Sequence, residues 1–277
     1  MSAAGILRAM TVFYVLLFFG WLFGPLMIMG ASAFNASSFP TVTPWQGFTW
    51  DWFGELFSNR DIRGGLWTSL VIGLGVVAVA VPIGLAAAVT MTRLRARTRS
   101  VYYAIVVSPV LMPGVIIGVS TKVFWDRLGI AMDAPFTSFI YDGLFLTIMG
   151  QASFISAYCM LIFLARLQRF DRAQEEAALD LGASQTQVFL KVLVPFLRPA
   201  ILSAAVLAFL SSFENYNTTV FLILPEKTLT TVLAGKVRLG TDPSISALAV
   251  MIVAVTLVGA VAYELQARRE ARRAGAA

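Results

Sequence analysis

The chain has 277 residues, 58% apolar and only 13% charged, where a soluble domain carries about 25% charge and 45–50% apolar residues. A single water-facing fold of this length could not hide so much hydrocarbon, so an ordinary soluble fold is excluded, and disorder with it. The net charge of +6 fits the cationic loops of a membrane protein better than a nucleic-acid partner.

The absence of histidine excludes histidine metal sites, histidine proton relays and catalytic triads. The single cysteine, Cys159, lies in an apolar run, has no partner within the chain, and reads as packing. Crossing about 30 Å of hydrocarbon takes about 20 helical residues. Six segments qualify, near residues 9–33, 66–92, 101–125, 143–165, 197–224 and 244–264. The expected fold class is therefore all-α, a polytopic membrane protein with six transmembrane helices.

Taken in order, the first segment follows Arg8 and ends on Ala31-Ser32-Ala33, which resembles a cleavage site. Its uncharged run is longer than the hydrophobic region of about 7–15 residues in a cleaved signal, so a retained helix is expected. The stretch Phe48 to Phe57, rich in tryptophan and phenylalanine, predicts a short amphipathic helix on the outer surface, either an anchor in the headgroup layer or a docking surface. In the third segment Pro109, Pro113, Gly114 and Gly118 predict an interrupted helix. Such breaks are tolerated where protein or a water-filled path satisfies the freed backbone, and Gly114-x-x-x-Gly118 also offers close packing. Loop 225–243, bounded by Pro225 and Pro243, should continue neither flanking helix. With the N-terminus inside, fourteen of the 21 lysines and arginines fall on the inner side, which places both termini in the cytoplasm.

The fifth segment holds a polar island, Ser211 to Thr219, with Glu214 deep inside it. An ionisable residue within a span costs about 2.5–3.5 kcal/mol on insertion scales, relieved by water, a partner or a cation. Glu214 either fixes neighbouring helices or lines a path and attracts an ammonium group, with Phe213, Tyr216 and Trp125 adding cation–π attraction and Asn215 beside it.

Between the fourth and fifth spans lies the most informative stretch, Asp171 to Pro195. Residues 171–181 suit a helix with acids near its start. Gly182 then breaks the run, and Ser184 caps a second short helix that should end before Pro195. Small residues at Ala177, Ala178, Gly182 and Ala183 leave a surface open to close approach, while Leu179, Leu181 and Phe189 supply apolar knobs. A helical hairpin fitted to a groove of another protein is one reading; an ordinary interhelical loop is the other.

Glu176-Ala177-Ala178, then Gly182, then Val192-Leu193-Val194-Pro195 resembles the signature loop of bacterial ABC importer permeases. Val192 and Val194 stand where isoleucine and leucine are commoner. The outer segments Phe34-Asn35, Gly47-Phe48-Thr49 and Trp52 to Phe57, the run Pro113 to Gly118, and Asp242 to Leu248 are similar to the spermidine/putrescine-type branch. The resemblance implies a type I importer permease fold divided into an N-terminal helix with its outer segment (1–61), a transmembrane core (62–265) carrying the coupling hairpin (171–195), and a basic cytoplasmic tail (266–277).

It further implies that Glu176 makes a polar contact with an ATPase cleft, that Ala177, Ala178, Gly182 and Ala183 permit close approach, and that Leu181 packs there. The implied partners are two ATPase subunits that carry ATP and Mg, a second permease subunit expected to be a different chain, an extracytoplasmic solute-binding protein and the lipid bilayer. No cofactor is expected on this chain, which has no Gly-x-x-x-x-Gly-Lys-Ser/Thr phosphate loop and is read as non-catalytic. The expected solute is a polyamine or related amino compound. Glu214-Asn215 stands where the family carries an adjacent acidic pair, which leaves room for monovalent or zwitterionic amino compounds. An importer for an aminophosphonate, opine, amino acid derivative or iron remains open, as does an ion-driven secondary transporter.

Overall fold

A computed structural model of the chain describes residues 3–240 and 242–274. In chain order the helices are α1 (Ala3–Ser32), α2 (Asp51–Ser58), α3 (Arg60–Arg93), α4 (Ala96–Val107), α5 (Gly114–Ala131), α6 (Gly143–Leu167), α7 (Ala173–Asp180), α8 (Gln185–Val188), α9 (Val194–Phe213), α10 (Leu229–Leu239) and α11 (Pro243–Ala274). Among the described residues the only β pairing is an isolated bridge between Asn35 and Phe48. Four stretches are long and apolar enough to cross a membrane: Leu7–Ser32, α3, α6 and Gln185–Phe213. The pair Ala96–Leu111 and Gly114–Ala131 makes a fifth, bent by 105°, and α11 supplies a further apolar run, Pro243–Gly259. These six correspond to the six expected segments. Of the tail expected over 266–277, the backbone is helical through Ala274, while its side chains and residues 275–277 lie outside the described residues.

The chain divides into two compact units. One holds the residues up to Ile62 and those from Leu233 onward. There α1 packs on α11, with Gly30 facing Val250 and the Ser32 hydroxyl donating to that of Ser246 at 3.0 Å. Asn35, fully buried, organises the loop that follows. Its amide donates to the carbonyls of Thr41 and Pro44, its Oδ1 accepts from Gln46 N–H, and its carbonyl accepts from the Trp52 indole at 2.8 Å. The rings of Phe34, Phe48, Trp50 and Phe53 cluster at the start of α2, Phe34 stacked on Phe48 and Trp50 edge-on to both, and of α2 only Leu56 is buried. Lys236 donates to Asp242 at 2.5 Å, and the Ser244 backbone and hydroxyl also donate to that carboxylate. Burial alone would push the Asp242 carboxyl up; the bonds from Lys236 and Ser244, with the ammonium charge, outweigh it and hold the group below the usual carboxylate value.

The other unit, Arg63–Val232, is built on α6. The bonds Gln151–Ser212, Cys159–Ala204 and Arg166–Phe196 pair residues in opposite order, so α6 and α9 lie antiparallel. α3 presses on both: a Cβ at Gly84 would fall 2.5 Å from Cys159 Cβ, and one at Gly73 would fall 2.9 Å from the Phe209 ring. Small residues at such crossings are how apolar helices gain packing in lipid, where burial of hydrocarbon alone gives no drive. The shared core includes Val76, Ala80, Ile155, Cys159, Phe163 and Ala204, and Cys159 takes its expected place there as packing.

Two expectations about chain course need correction. The fifth span is not helical over 197–224: α9 stops at Phe213, and 214–228 is irregular apart from a 3-10 turn at Thr219–Phe221. Its apolar residues Leu222 and Ile223 are buried, which hydropathy alone cannot tell from a helix. Nor does a second short helix end before Pro195, because α8 runs into α9 through a π-helical turn, Phe189–Leu193. That turn changes the hydrogen-bond register just before Pro195, whose missing N–H then falls in the first turn of α9, where proline is tolerated. Loop 225–243 continues neither flanking helix, as expected, and holds a separate helix of its own, α10.

Candidate functional site

The hairpin between α6 and α9 is set by local chemistry. Glu175 and Glu176 lie in the first turn of α7, where carboxylates meet the positive end of the helix dipole. The helix closes with the N–H of Gly182 on the carbonyl of Leu179 at 2.9 Å and that of Ala183 on Ala178 at 3.0 Å. This double closure requires a left-handed residue, and Gly182 supplies it at φ +83°. Ser184 and Gln187 then form a reciprocal capping box that starts α8. The outcome is a knuckle whose tip is Leu181, 89% exposed. Glu176, Ala177 and Gly182 are also exposed or partly so, and Ala178 and Ala183 are half-buried. The six predicted coupling residues therefore run from the first turn of α7 to the closure at its C-terminal end. Gly182 carries a second duty that its small size alone did not reveal, the left-handed closure.

The knuckle is braced by the helix ends beneath it. Arg172 Nη2 donates to the carbonyl of Thr92, in the last turn of α3, at 2.7 Å. Phe170 packs on Phe196 with ring centroids 4.9 Å apart, and the Arg166 guanidinium sits 4.3 Å over the same Phe196 ring. A small cavity of about 120 Å³ lies among Thr92, Phe170, Arg172 and Glu175. The knuckle is thus tied to the ends of α3, α6 and α9.

A second polar region lies about 20 Å further along α6, counting the rise from Leu167 to Phe154. Glu214 sits at the C-cap of α9, exposed, rather than inside a helix as the sequence suggested. It remains level with the middle of α6. Irregular backbone at that depth is tolerated where it is packed in protein or lines an aqueous cavity, and here it is packed in protein. Gly114 and Gly118 of α5 come so close to the segment after Asn215 that a Cβ on either would fall about 3 Å from Thr218. The Asn215 side chain accepts from Thr218 N–H, and its carbonyl accepts from the hydroxyls of Thr219 and Thr230. Gln151, buried near the midpoint of α6, accepts from Ser212 and donates to Thr219 at 2.8 Å.

Beside this knot Glu214, Asn215 and Tyr216 line a cavity of about 320 Å³, together with Phe154 and Tyr158 of α6. Phe213 lies one residue before Glu214 and stacks on Phe209 at 5.8 Å. Trp125 packs edge-on against Phe145 and Phe124 of its own unit and is not among the residues that line this cavity. Gln151, Phe154 and Tyr158 carry no mark in the sequence beyond one signal, a glutamine in an otherwise apolar span. Among the described residues no cluster of carboxylate or thiol groups could hold a metal ion.

Residues 80–272 match the family described as the inner membrane component of binding-protein-dependent transport systems. The chain is similar to the putrescine transport system permease protein PotI of Escherichia coli, 33% identical over 94% of this chain and 91% of that protein. It is also similar to the spermidine/putrescine transport system permease protein PotC of Shigella flexneri, 26% identical over 93% of each. Among solved structures it matches a bacterial ABC transporter that imports the acidic polysaccharide alginate, with a TM-score of 0.72 and 15% identity over 95% of this chain and 98% of that one; at that identity the likeness is one of fold. The knuckle, the broken spans and the match over most of the chain lead to one assignment: this multi-pass membrane protein belongs to the family of inner membrane components of binding-protein-dependent transport systems.

Proposed function

We propose that the chain is a permease subunit of an ATP-driven importer for polyamines or related amino-group solutes, forming half of the translocation path. The solute class is supported by the 33% identity to a putrescine permease, and the external binding protein by the family description. The observation that carries the coupling role is the knuckle itself: an exposed leucine at the tip of a turn whose geometry is closed by its own hydrogen bonds and braced on three helices.

In this reading two ATPase subunits, which hold ATP and Mg, receive the knuckle in a cleft. Glu176 makes the polar contact and Leu181 the apolar one, while Ala177, Ala178, Gly182 and Ala183 keep the approach short. The permease chain hydrolyses nothing itself. ATP-driven closure pushes on the knuckle, and α6 and α9 carry the movement to the cavity beside Glu214, supplying the free-energy difference between inward- and outward-open states that alternation needs. A second permease subunit, a different chain, completes the path. Both termini lie in the cytoplasm, supported by the arginine and lysine distribution.

The test is uptake of labelled putrescine into proteoliposomes holding the assembled complex. The reading predicts uptake that requires ATP and the binding protein together. Uptake by this chain alone, without nucleotide, contradicts it.

A further inference from the structure

The junction between α3 and α4 concentrates positive charge. Arg93 closes α3, Arg95 stands in extended conformation just before α4, and Arg97 and Arg99 lie among its first four residues, four arginines in a run of seven residues. All four are exposed, and none of their side chains enters a hydrogen bond, ion pair or ring contact among the described residues. The first turn of α4 holds no acid, and a helix dipole disfavours cations at that end, so the cluster is held against the local electrostatics. A few residues on, the same helix turns apolar while staying open: Val101, Tyr103 and Ile105 are 59%, 40% and 65% exposed. The rise from Arg97 to Ile105 is about 12 Å, enough to take in the headgroup layer of one leaflet, about 5–8 Å, and to reach the hydrocarbon.

We propose that this elbow is a docking surface for anionic phospholipid: Arg95, Arg97 and Arg99 hold the headgroup phosphates, and Val101 and Ile105 meet the acyl chains. Arginine suits the task because its planar fork grips two phosphate oxygens at once. The elbow lies at the same end of the molecule as the knuckle, since Arg172 donates to the carbonyl of Thr92, the residue before Arg93. The importer reading puts that end in the cytoplasm, where the leaflet carries a negative surface potential; the inference rests on that reading for the side of the membrane alone. Bound lipid then fixes the foot of the knuckle at the headgroup layer.

The test is competition for the full chain in neutral detergent, with a fluorescent phosphatidylglycerol displaced by unlabelled phosphatidylglycerol or by phosphatidylcholine of the same acyl chains. One arginine near an anionic surface is worth about fivefold in affinity, so the wild type should prefer phosphatidylglycerol by about tenfold or more, and added salt should shrink that preference. Arg97→Gln should reduce it about two- to fivefold, and Arg95→Gln, Arg97→Gln and Arg99→Gln together should bring it within about threefold of parity. Arg198→Gln, which removes an exposed charge on α9, should change it less than about twofold. No preference in the wild type, a preference kept by the triple variant, or equal losses in Arg97→Gln and Arg198→Gln would overturn the proposal. A triple variant that keeps the preference but loses the ATPase subunits on purification would overturn it too, by assigning the elbow to an acidic protein face. Should the triple variant fail to fold, the single variants and the wild-type preference still decide it. If the preference is found while the complex moves no putrescine with ATP, the lipid surface stands and the importer reading falls. ATP-driven uptake without any lipid preference does the opposite.

Discussion

Gly182 separates the two duties of the knuckle. At φ +83° an L side chain costs about 1–2 kcal/mol in backbone energy. A Cβ built there meets no atom within 4 Å, so Gly182→Ala carries the backbone penalty and no steric one. The penalty falls on the closure that holds the N–H groups of Gly182 and Ala183 on Leu179 and Ala178. One or two kcal/mol shifts an equilibrium by a factor of about 5–30, so the amides of residues 182 and 183 should exchange about 5–30 times faster in Gly182→Ala. Gly182→Asn should lose less, because asparagine visits the left-handed region more readily. Hydrogen exchange followed by mass spectrometry on the full chain in nanodiscs reads both variants. Equal acceleration for alanine and asparagine, or none for either, would refute the reasoning.

Gly84→Val places new methyl groups where even a Cβ falls 2.5 Å from Cys159 and 2.7 Å from the Ser156 carbonyl; overpacking of this kind costs about 1–3 kcal/mol. The melting temperature in detergent should drop, and Cys159→Gly should recover part of the loss in the double variant. Gln151→Leu removes the acceptor of the buried Ser212 hydroxyl, at about 1–2 kcal/mol. Adding Ser212→Ala should cost less than the sum of the two single changes, and strict additivity would count against the knot. Asp242 is held below its ordinary value, so its contribution is complete above the unfolded carboxylate pKa of about 3.9 and fades as pH falls through the lower folded value. Asp242→Asn should flatten that acid dependence of stability, seen by melting across acidic pH.

Much of this architecture is legible in the sequence wherever the determining physics is local. Uncharged length places α1, α3 and α6. The Pro109 and Pro113 pair announces the break that becomes a 105° bend, since proline acts on its own backbone. Ser184 with Gln187, and Gly182 after Leu181, write the knuckle's caps in a few residues. The failures share a different cause. Leu222 and Ile223 are apolar because they are buried, with the Ile223 carbonyl pressed against Gly143 and the Leu222 side chain against Gly150. Nothing in their sequence separates that packing from a helix in lipid, so hydropathy makes α9 too long and puts Glu214 inside it. Pro195 reads as a stop, and only the π turn before it lets the helix continue. Phe154 and Tyr158 are ordinary residues of an apolar helix; only the antiparallel pairing of α6 and α9 sets them beside Glu214.

Leu181→Asp puts the coupling role to its most direct test. The side chain is almost wholly exposed, so the isolated chain should melt as the wild type does, within the roughly ±0.5 kcal/mol expected of surface changes. In the assembled transporter a carboxylate then replaces the apolar contact at the tip, and ATP-dependent putrescine uptake should be lost together with retention of the ATPase subunits on purification. Wild-type uptake and an intact complex in Leu181→Asp would contradict the account.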